Sequence, residues 1–367
     1  MATRKKRRIR LGRLITVVVL VLLLAGTGIY AAYRLAGPRD AAVKSAWTES
    51  AIKPGTELLP FQDGLLYRQE KELIYTDVYG EERWSLPMSS DRVQLAASAQ
   101  NIAVFTPQLL EVLDGDSKVK LTYELEKGNM SAIAMSGQYI AIRIAQDEGE
   151  TVQVIDFSGK VVDEETFTEQ TVVNFGLTTD ELLWVLTLDV TSGSPVSRLA
   201  LYQPGQSMKC AYSMPDQLVY DAAFTKDRIL AMGNSYCMWY NYVGDQLGET
   251  LVYGWRLAAQ SGNDSASYMA LLPDSLSEDD TALPYARILK DGELTQAPRL
   301  PVDLIGVGMT GQYMVQIQPR KITLTSLAGK RDREITLPAD IQDGLVVNQG
   351  KGLLLETEKK CYYLPLS

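Results

Sequence analysis

A short β-hairpin pattern with a glycine in its turn recurs along the chain, and this recurrence constrains the fold more than any other feature. The clearest copy is LIYTDVYGEERWSLP, Leu73 to Pro87, in which apolar residues alternate before and after Asp77 and Gly80. Glycine is expected in such a turn because a tight hairpin needs a residue at positive φ. The seven turn glycines, spaced by 35, 44, 46, 39, 48 and 37 residues, are Gly80, Gly115, Gly159, Gly205, Gly244, Gly292 and Gly329.

A second marker, a short apolar strand that opens after a turn, alternates with the glycine turns. It occurs eight times, in sequences such as GLLYR at Gly64, YIAIRI at Tyr139 and LLLET at Leu353. Two markers in phase, with a period of about forty residues, are typical of the repeated four-stranded sheets of a β-propeller. Two unrelated β-sandwiches would not explain the shared phase. The predicted fold is therefore all-β.

Eight strand markers and seven glycine turns leave the last unit without its outer strand. The segment KSAWTES, Lys44 to Ser50, resembles EERWSLP after Gly80, with Trp47 at the position of Trp84. An open sheet edge would leave backbone groups unpaired. We therefore predict an eight-bladed ring in which an N-terminal strand closes the last blade. Seven blades is the alternative, because the fourth to sixth units are irregular.

The first 34 residues predict a membrane anchor. Basic residues crowd positions 1–13, and Leu14 to Tyr33 then runs for twenty residues without a charge. That length crosses a bilayer core of about 30 Å at about 1.5 Å per helical residue. We predict a basic cytoplasmic segment (1–13), a single transmembrane signal anchor in the lipid bilayer (14–33), a tether (34–43) and an extracytoplasmic propeller (44–367). A cleaved signal peptide is the alternative, although its apolar region is usually shorter.

The part of the chain after the predicted anchor is acidic. Residues 1–34 contain eight of the 36 basic residues and none of the 45 acidic ones, which leaves 28 − 45 = −17 for the remainder. Such a surface repels nucleic acid, so no nucleic-acid partner is expected, and cationic partners are favoured.

Two hairpins, IYTDVYGEERW and VIDFSGKVV, resemble the quinoprotein-type repeat, in which an aspartate turn and a glycine precede a tryptophan strand, and are similar to WD40-like repeats. The whole layout is similar to an uncharacterised family of single-pass, membrane-anchored propellers of Gram-positive bacteria, classed as a domain of unknown function. The resemblance implies this architecture and a location in the cell membrane. It brings no catalytic residue, and no cofactor is expected.

The residues available for chemistry are few. Histidine is absent from the sequence, which excludes Ser-His-Asp and Cys-His catalysis and nearly every His-containing metal site. The predicted inner strands are small and apolar, and their only carboxylates are Asp221 and Asp303. A non-enzymatic role is favoured, and a glycan-binding or glycan-processing propeller that uses carboxylates is the alternative. Cys210, Cys237 and Cys361 are expected to be buried thiols, with a Cys210–Cys237 disulfide as the alternative.

One face of the propeller is predicted to carry the function. The loops joining the second to the third strand of each blade emerge there, and we expect longer ones near residues 145–150, 189–195 and 273–284. Long loops on a rigid scaffold commonly bind partners, and neutral drift in loop length is the competing interpretation. We predict a membrane-tethered scaffold that binds an envelope protein or peptide. The candidate partner-binding residues are Asp147, Glu148, Asp189, Ser192, Ser275, Glu278, Asp279 and Asp280.

Overall fold

The computed structural model describes residues 47–88, 90, 92–191, 193–263, 265–274 and 285–366. The predicted cytoplasmic segment, anchor and tether (1–13, 14–33 and 34–43) lie outside the described residues. Within the described ranges, no helix has the length and apolar character needed to cross a membrane.

The described residues form eight four-stranded antiparallel sheets, which are the blades of a β-propeller. In blades 1 to 7 the strands follow chain order from strand A to strand D. Strand A is innermost, because the A strands of most successive blades contact one another. The predicted all-β propeller with eight blades is therefore confirmed.

The strands of the first half of the chain alternate with short turns. Blade 1 contains β2 (Leu58–Phe61), β3 (Gly64–Gln69), β4 (Glu72–Asp77) and β5 (Glu82–Pro87); blade 2 contains β6 (Gln94–Ala97), β7 (Asn101–Phe105), β8 (Leu109–Asp114) and β9 (Val119–Glu124). Blade 3 contains β10 (Asn129–Met135), β11 (Tyr139–Gln146), β12 (Gly149–Asp156) and β13 (Val161–Phe167); blade 4 contains β14 (Thr171–Leu177), β15 (Leu183–Asp189), β16 (Val196–Tyr202) and β17 (Met208–Pro215).

The second half continues the same order and ends on a shared blade. Blade 5 contains β18 (Val219–Phe224), β19 (Ile229–Gly233), β20 (Tyr236–Tyr240) and β21 (Gln246–Leu251); blade 6 contains β22 (Trp255–Asn263), β23 (Ala266–Pro273), β24 (Arg287–Lys290) and β25 (Glu293–Gln296). Blade 7 contains β26 (Gly306–Met309), β27 (Tyr313–Ile317), β28 (Lys321–Ser326) and β29 (Arg333–Thr336); blade 8 contains β30 (Asp343–Val347), β31 (Gly352–Glu356), β32 (Cys361–Pro365) and β1 (Thr48–Ser50). A 3₁₀ turn, Asn348–Gly350, links β30 to β31.

The first and last strands of the chain together complete blade 8. Strand β1 pairs antiparallel with β32, as predicted from the sequence around Trp47. The Trp47 ring stacks on Tyr362 with 4.4 Å between ring centroids. The Glu49 carboxylate accepts a hydrogen bond of 2.7 Å from Lys360 Nζ. The ring is thus closed by backbone pairing that one stacked aromatic pair and one ion pair support.

An aspartate or asparagine organises the turn between strands C and D in several blades. In blade 1, Asp77 Oδ1 accepts hydrogen bonds from the backbone N–H groups of Tyr79 and Glu81 at 2.8 and 2.9 Å. Gly80 follows at φ +83°. In blade 2 the residue at positive φ is Ser117, at +65°. The prediction that Gly115 takes this role is therefore wrong. The residue at positive φ is the third after the turn aspartate, and in blade 2 the third residue after Asp114 is Ser117. The other turn residues that bond in this way are Asp114, Asp156 and Asn241.

Apolar side chains from facing blades fill the spaces between them. Between blades 4 and 5, Leu199 and Tyr212 of blade 4 pack with Ile229 and Met238 of blade 5. All three cysteines are free thiols, so the alternative disulfide does not form. Burial raises the pKa of the Cys237 thiol to about 12.

Inner strands differ in length between two halves of the ring. Strand A has six to nine residues in blades 3 to 6, here called the long half. It has four or five residues in blades 7, 8, 1 and 2, the short half. Each A–B ladder of the long half also contains a register shift, and those of the short half contain none. The units that are irregular in sequence are therefore lengthened blades with β-bulges, which bend a strand and redirect its side chains.

Candidate functional site

Strand direction alternates within a blade, so the B–C turns and the D–A connections emerge at the same end. We call this end the upper face. In blade 4 the B–C loop has six residues, between β15 and β16. In blade 6 it has thirteen, between β23 and β24, most of them outside the described residues. In blade 3 it is a two-residue turn, because β11 and β12 stay paired up to Gln146 and Gly149. The prediction of a long loop at 145–150 is therefore wrong.

The candidate loop residues occupy separate positions on the upper face. Asp147 and Glu148 form the exposed two-residue turn of blade 3. Asp189 Oδ1 accepts hydrogen bonds from Thr191 N and Oγ1 at 2.8 and 2.7 Å. These bonds hold the pKa of Asp189 below its usual value and engage the carboxylate in its own loop. Ser192, Ser275, Glu278, Asp279 and Asp280 lie outside the described residues.

A group of exposed apolar side chains lies on the upper face of blades 4 to 6. Their exposed fractions range from 37% to 75%, and Tyr253, in the connection from blade 5 to blade 6, is the most exposed. Large exposed apolar surface of this kind often marks a binding surface. The five members, here called the apolar patch, are Leu218, Tyr236, Leu251, Tyr253 and Tyr285.

Hydrogen bonds between neighbouring loops hold the backbone of the apolar patch. Leu218 N donates to Asn234 Oδ1 at 3.1 Å, and Asn234 N donates to Leu218 O at 2.9 Å. Tyr236 and Leu251 are direct partners across β20 and β21. Asp274 N donates to the carbonyl of Gly254, beside Tyr253, at 3.0 Å. The patch is therefore carried by segments that are fixed to one another, which lowers the entropy cost of binding.

An arginine and a tryptophan support the centre of the patch. The Arg287 guanidinium lies 4.3 Å from the centroid of the Trp255 ring. Arg287 Nη1 also donates a 3.0 Å hydrogen bond to the carbonyl of Leu251. Tyr, Trp and Arg are the residues most often found at the energetic centres of protein interfaces. Asp216, Arg256 and Asp274, which lie within two residues of Leu218, Trp255 and Pro273, are exposed polar residues.

Three polar side chains meet in the channel beside the patch, one from each inner strand of blades 4, 5 and 6. Gln260 Nε2 donates to Asp221 Oδ2 at 3.2 Å. Asn174 Nδ2 lies 3.4 Å from Asp221 Oδ1. Asp221 Oδ1 also accepts a 2.8 Å hydrogen bond from Ala222 N. Burial raises the pKa of the Asp221 carboxyl above its usual value, because removal from water disfavours its charged form.

The two carboxylates singled out in the sequence are engaged separately. Asp303 precedes β26 and accepts a 2.7 Å hydrogen bond from Gln318 Nε2. Asp221 lies within β18 and bonds to Gln260. No hydrogen bond joins the two carboxylates in the described part of the chain. In the same part, no group of three potential metal ligands occurs.

Two cavities away from the apolar patch are lined by side chains that bridge neighbouring blades. One, of about 350 Å³, lies between blades 1 and 2, where Arg68 Nη1 donates to the carbonyl of Val93 at 2.9 Å. Another, of about 340 Å³, lies at the opposite face, where Glu181 accepts hydrogen bonds from Ser136 Oγ and from Gly137 N. In both, the charged group already serves a contact between blades.

The sequence interpretation singled out the loops of the upper face and did not include its apolar patch. The segment LVYGW, Leu251 to Trp255, places four large apolar residues and a glycine at a connection between blades. Connections at the surface are usually polar, so this composition was the available signal. The lengths of the B–C loops do not reveal this composition, because it lies in a connection between strands D and A.

The chain is similar in fold to several solved structures. BamB from Moraxella catarrhalis aligns with a TM-score of 0.51 and 11% identity, over 87% of this chain and 99% of that chain. A eukaryotic initiation factor aligns with a TM-score of 0.57 and 10% identity, over 84% and 82%. Apo AztD from Citrobacter koseri aligns with a TM-score of 0.51 and 10% identity, over 78% and 87%. No family model and no curated protein matches the sequence. At such low identity these similarities show the β-propeller fold and nothing finer.

Proposed function

We propose that the protein is a non-enzymatic scaffold, anchored in the cell membrane by residues 14–33, whose extracytoplasmic propeller binds another envelope protein or a peptide. Binding takes place on the upper face of blades 4 to 6. The observation that carries this proposal is the apolar patch, in which Tyr253 is 75% exposed and Leu251 is 56% exposed. Covering exposed apolar side chains with a partner removes them from water, which makes binding more favourable.

Three further observations support a protein partner. The patch has an interface composition, with tyrosines beside Trp255 and Arg287. Exposed polar residues adjoin the patch residues in the sequence, as expected for the rim of a protein interface. The basic start, the apolar segment and the acidic remainder of the sequence support the membrane placement. This layout also resembles the single-pass propeller family of Gram-positive bacteria, which is the basis for the envelope location.

No observation favours the glycan-processing alternative over this role. A carboxylate-based hydrolase requires two carboxyl groups that flank one bond of the substrate. Asp221 and Asp303 are instead bonded to different amides, those of Gln260 and Gln318. The proposal therefore assigns recognition, and no reaction, to the upper face.

Photo-crosslinking in intact cells tests this proposal. The full chain is produced with a photoreactive phenylalanine analogue at position 253 or, as the matched control, at position 243. Val243 is 82% exposed and lies in the C–D turn of blade 5, at the opposite face. We expect a discrete crosslinked protein from position 253 and none from position 243.

A second variant ties the captured protein to the apolar patch. Leu251→Ser removes an exposed apolar side chain, so the folding free energy should change by less than about 0.5 kcal/mol. We expect it to reduce capture from position 253 at least severalfold. Equal capture from both positions, or capture that Leu251→Ser does not change, contradicts the proposal.

A further inference from the structure

The upper face has a polar centre that its apolar patch does not explain. Asn174, Asp221 and Gln260 come from three successive inner strands and meet at one point of the channel wall. We propose that this point receives a Lys or Arg side chain of the bound protein or peptide, with Asp221 as its counter-charge. This inference rests on the proposed function and specifies the chemistry of the partner.

β-Bulges place two of these side chains. The A–B register shifts leave Val173 and Tyr220 without direct partners, and Asn174 and Asp221 are the residues that follow them. Asn174 Oδ1 accepts a 2.9 Å hydrogen bond from the next backbone N–H, that of Phe175. Asp221 Oδ1 accepts the equivalent bond from Ala222. Both side chains are therefore fixed before any partner arrives.

Among the described residues, the carboxylate of Asp221 has no cationic partner. Its described contacts are Asn174, Ala222 and Gln260, and all three are uncharged. No ion pair of the described residues includes Asp221. A partly buried carboxylate without a cation loses solvation and gains no attraction in return. A cationic group from outside would supply that attraction.

The channel wall beside Asp221 is in contact with solvent. Gln260 is exposed although it lies on an inner strand, so solvent reaches the neighbourhood of Asp221. Leu218 of the apolar patch precedes Asp221 by three residues, a distance of about 10 Å along an extended strand. A partner segment on the patch could therefore place an adjacent long side chain against the carboxylate.

The ligand is a side chain of the partner, because the other cationic classes fit less well. A hard metal ion prefers several oxygen ligands, and Asp221 is the one carboxylate of this trio. Asn174 Oδ1 is already occupied by Phe175 N. A Lys or Arg side chain needs one carboxylate as its counter-charge, which Asp221 supplies. The partner segment that carries this side chain also brings backbone and apolar neighbours, which would cover the apolar patch.

A displayed library of random peptides tests this inference on the full chain in detergent micelles. Peptides enriched on the unaltered protein are synthesised, each also with its Lys or Arg replaced by Gln. Their affinities are measured for the unaltered protein and for Asp221→Asn, Tyr253→Ser and Val243→Ser. Thermal unfolding of each variant shows whether it is folded.

We expect the enriched peptides to share a Lys or Arg next to apolar residues. Asp221→Asn should weaken their binding about tenfold, as for a charge-assisted contact. It should have no effect on the Gln versions, because the pair is then already broken. Tyr253→Ser should weaken both versions, and Val243→Ser neither.

Two other outcomes overturn the inference in distinguishable ways. If binding depends on Tyr253 but Asp221→Asn leaves every affinity unchanged, the counter-charge role is wrong and the proposed function stands. If no enriched peptide depends on Tyr253, the binding face itself is wrong, and the inference falls with it.

Discussion

Blades 3 to 6 and blades 7, 8, 1 and 2 are built from the same four-stranded unit but differ at their inner strands. In the long half these strands have six to nine residues and each is bulged. In the short half they have four or five residues and pair without a register shift. The short half contains blade 8, which the two ends of the chain complete together.

Ring closure and the proposed binding surface therefore lie in different halves of the ring. In the closure, β1 pairs with β32, and Ala51 N, directly after β1, donates a 2.8 Å hydrogen bond to the carbonyl of Tyr79 in the turn of blade 1. The apolar patch and the Asp221 trio lie in the long half, where added residues do not disturb closure. Bulges commonly occur beside functional sites, where they redirect a side chain or end strand pairing.

The largest expected effect concerns the turn of blade 1 that receives the closing segment. Gly80 and Gly159 have the same φ, +83°, in equivalent turns of the two halves. An added Cβ on Gly80 would lie 2.9 Å from the backbone nitrogens of Ala51 and Ile52, whereas one on Gly159 meets no atom closer than 3.4 Å. Gly159→Ala should cost about 1–2 kcal/mol through backbone strain, and Gly80→Ala about 2–4 kcal/mol because overpacking adds to it.

Chemical denaturation of the two glycine variants measures the difference in their free energies of unfolding. If Gly80→Ala and Gly159→Ala are equally destabilising, the closing segment does not depend on its close approach to Gly80. Closure of the ring then places no special requirement on the turn of blade 1.

A smaller effect is expected at a bulge of the long half. Asn174→Ala removes the acceptor of Phe175 N and should lower the free energy of unfolding by about 1 kcal/mol, because that N–H is then left in a partly buried strand. Asp343 makes the same bond to Gly344 N at 2.7 Å in blade 8, where it is exposed and unbulged. Asp343→Ala should change stability by less than about 0.5 kcal/mol, since water replaces the side chain. Equal losses in urea titration would contradict a special role for the bulge.

Asp221 predicts an unusual dependence of stability on pH. Burial raises its pKa in the folded state, so it favours folding below the unfolded pKa, and this contribution is lost as pH rises through the folded pKa. Its described contacts are uncharged, and the nearby Tyr220 stays neutral at these pH values because burial raises its pKa. Asp221→Asn should therefore be more stable than the unaltered protein near pH 7 and equally stable below about pH 3.8. Unfolding temperatures across this range test it, and a loss of stability at pH 7 would contradict it.

The smallest effect, of opposite sign, is expected in the short half. Arg83 Nη1 and Nη2 donate to the two oxygens of Asp63 at 2.7 and 2.8 Å and lower its pKa to about 2. This pair supports folding above the unfolded pKa of about 3.8, and the support is lost as pH falls through the folded value. Both side chains are well exposed, so Asp63→Asn should cost less than about 1 kcal/mol at pH 7. The deficit should shrink towards pH 2 in the same unfolding series, and a constant deficit would indicate lost packing instead.

Much of the fold was predictable because its determinants are local. The hairpin from Leu73 to Pro87 carries an alternation of apolar residues and an Asp–Gly turn, and it forms β4 and β5. Trp47 was recognised by its likeness to Trp84, which places the closing strand. The prediction of a long loop at 145–150 was wrong, because most of this stretch continues the pairing of β11 with β12. No local feature of the sequence indicates that pairing.

The repeat and the closure of the ring could be read from the sequence, which favoured eight blades over seven, since turns and alternation act within a few residues. Which distant residues meet depends on the tertiary structure. Asn174, Asp221 and Gln260 are separated by 47 and 39 residues and meet because successive inner strands face one channel. Tyr253 is exposed while Trp255 is buried because one lies in a connection and the other packs between blades. Both outcomes depend on where the ring places each residue, which no stretch of sequence contains.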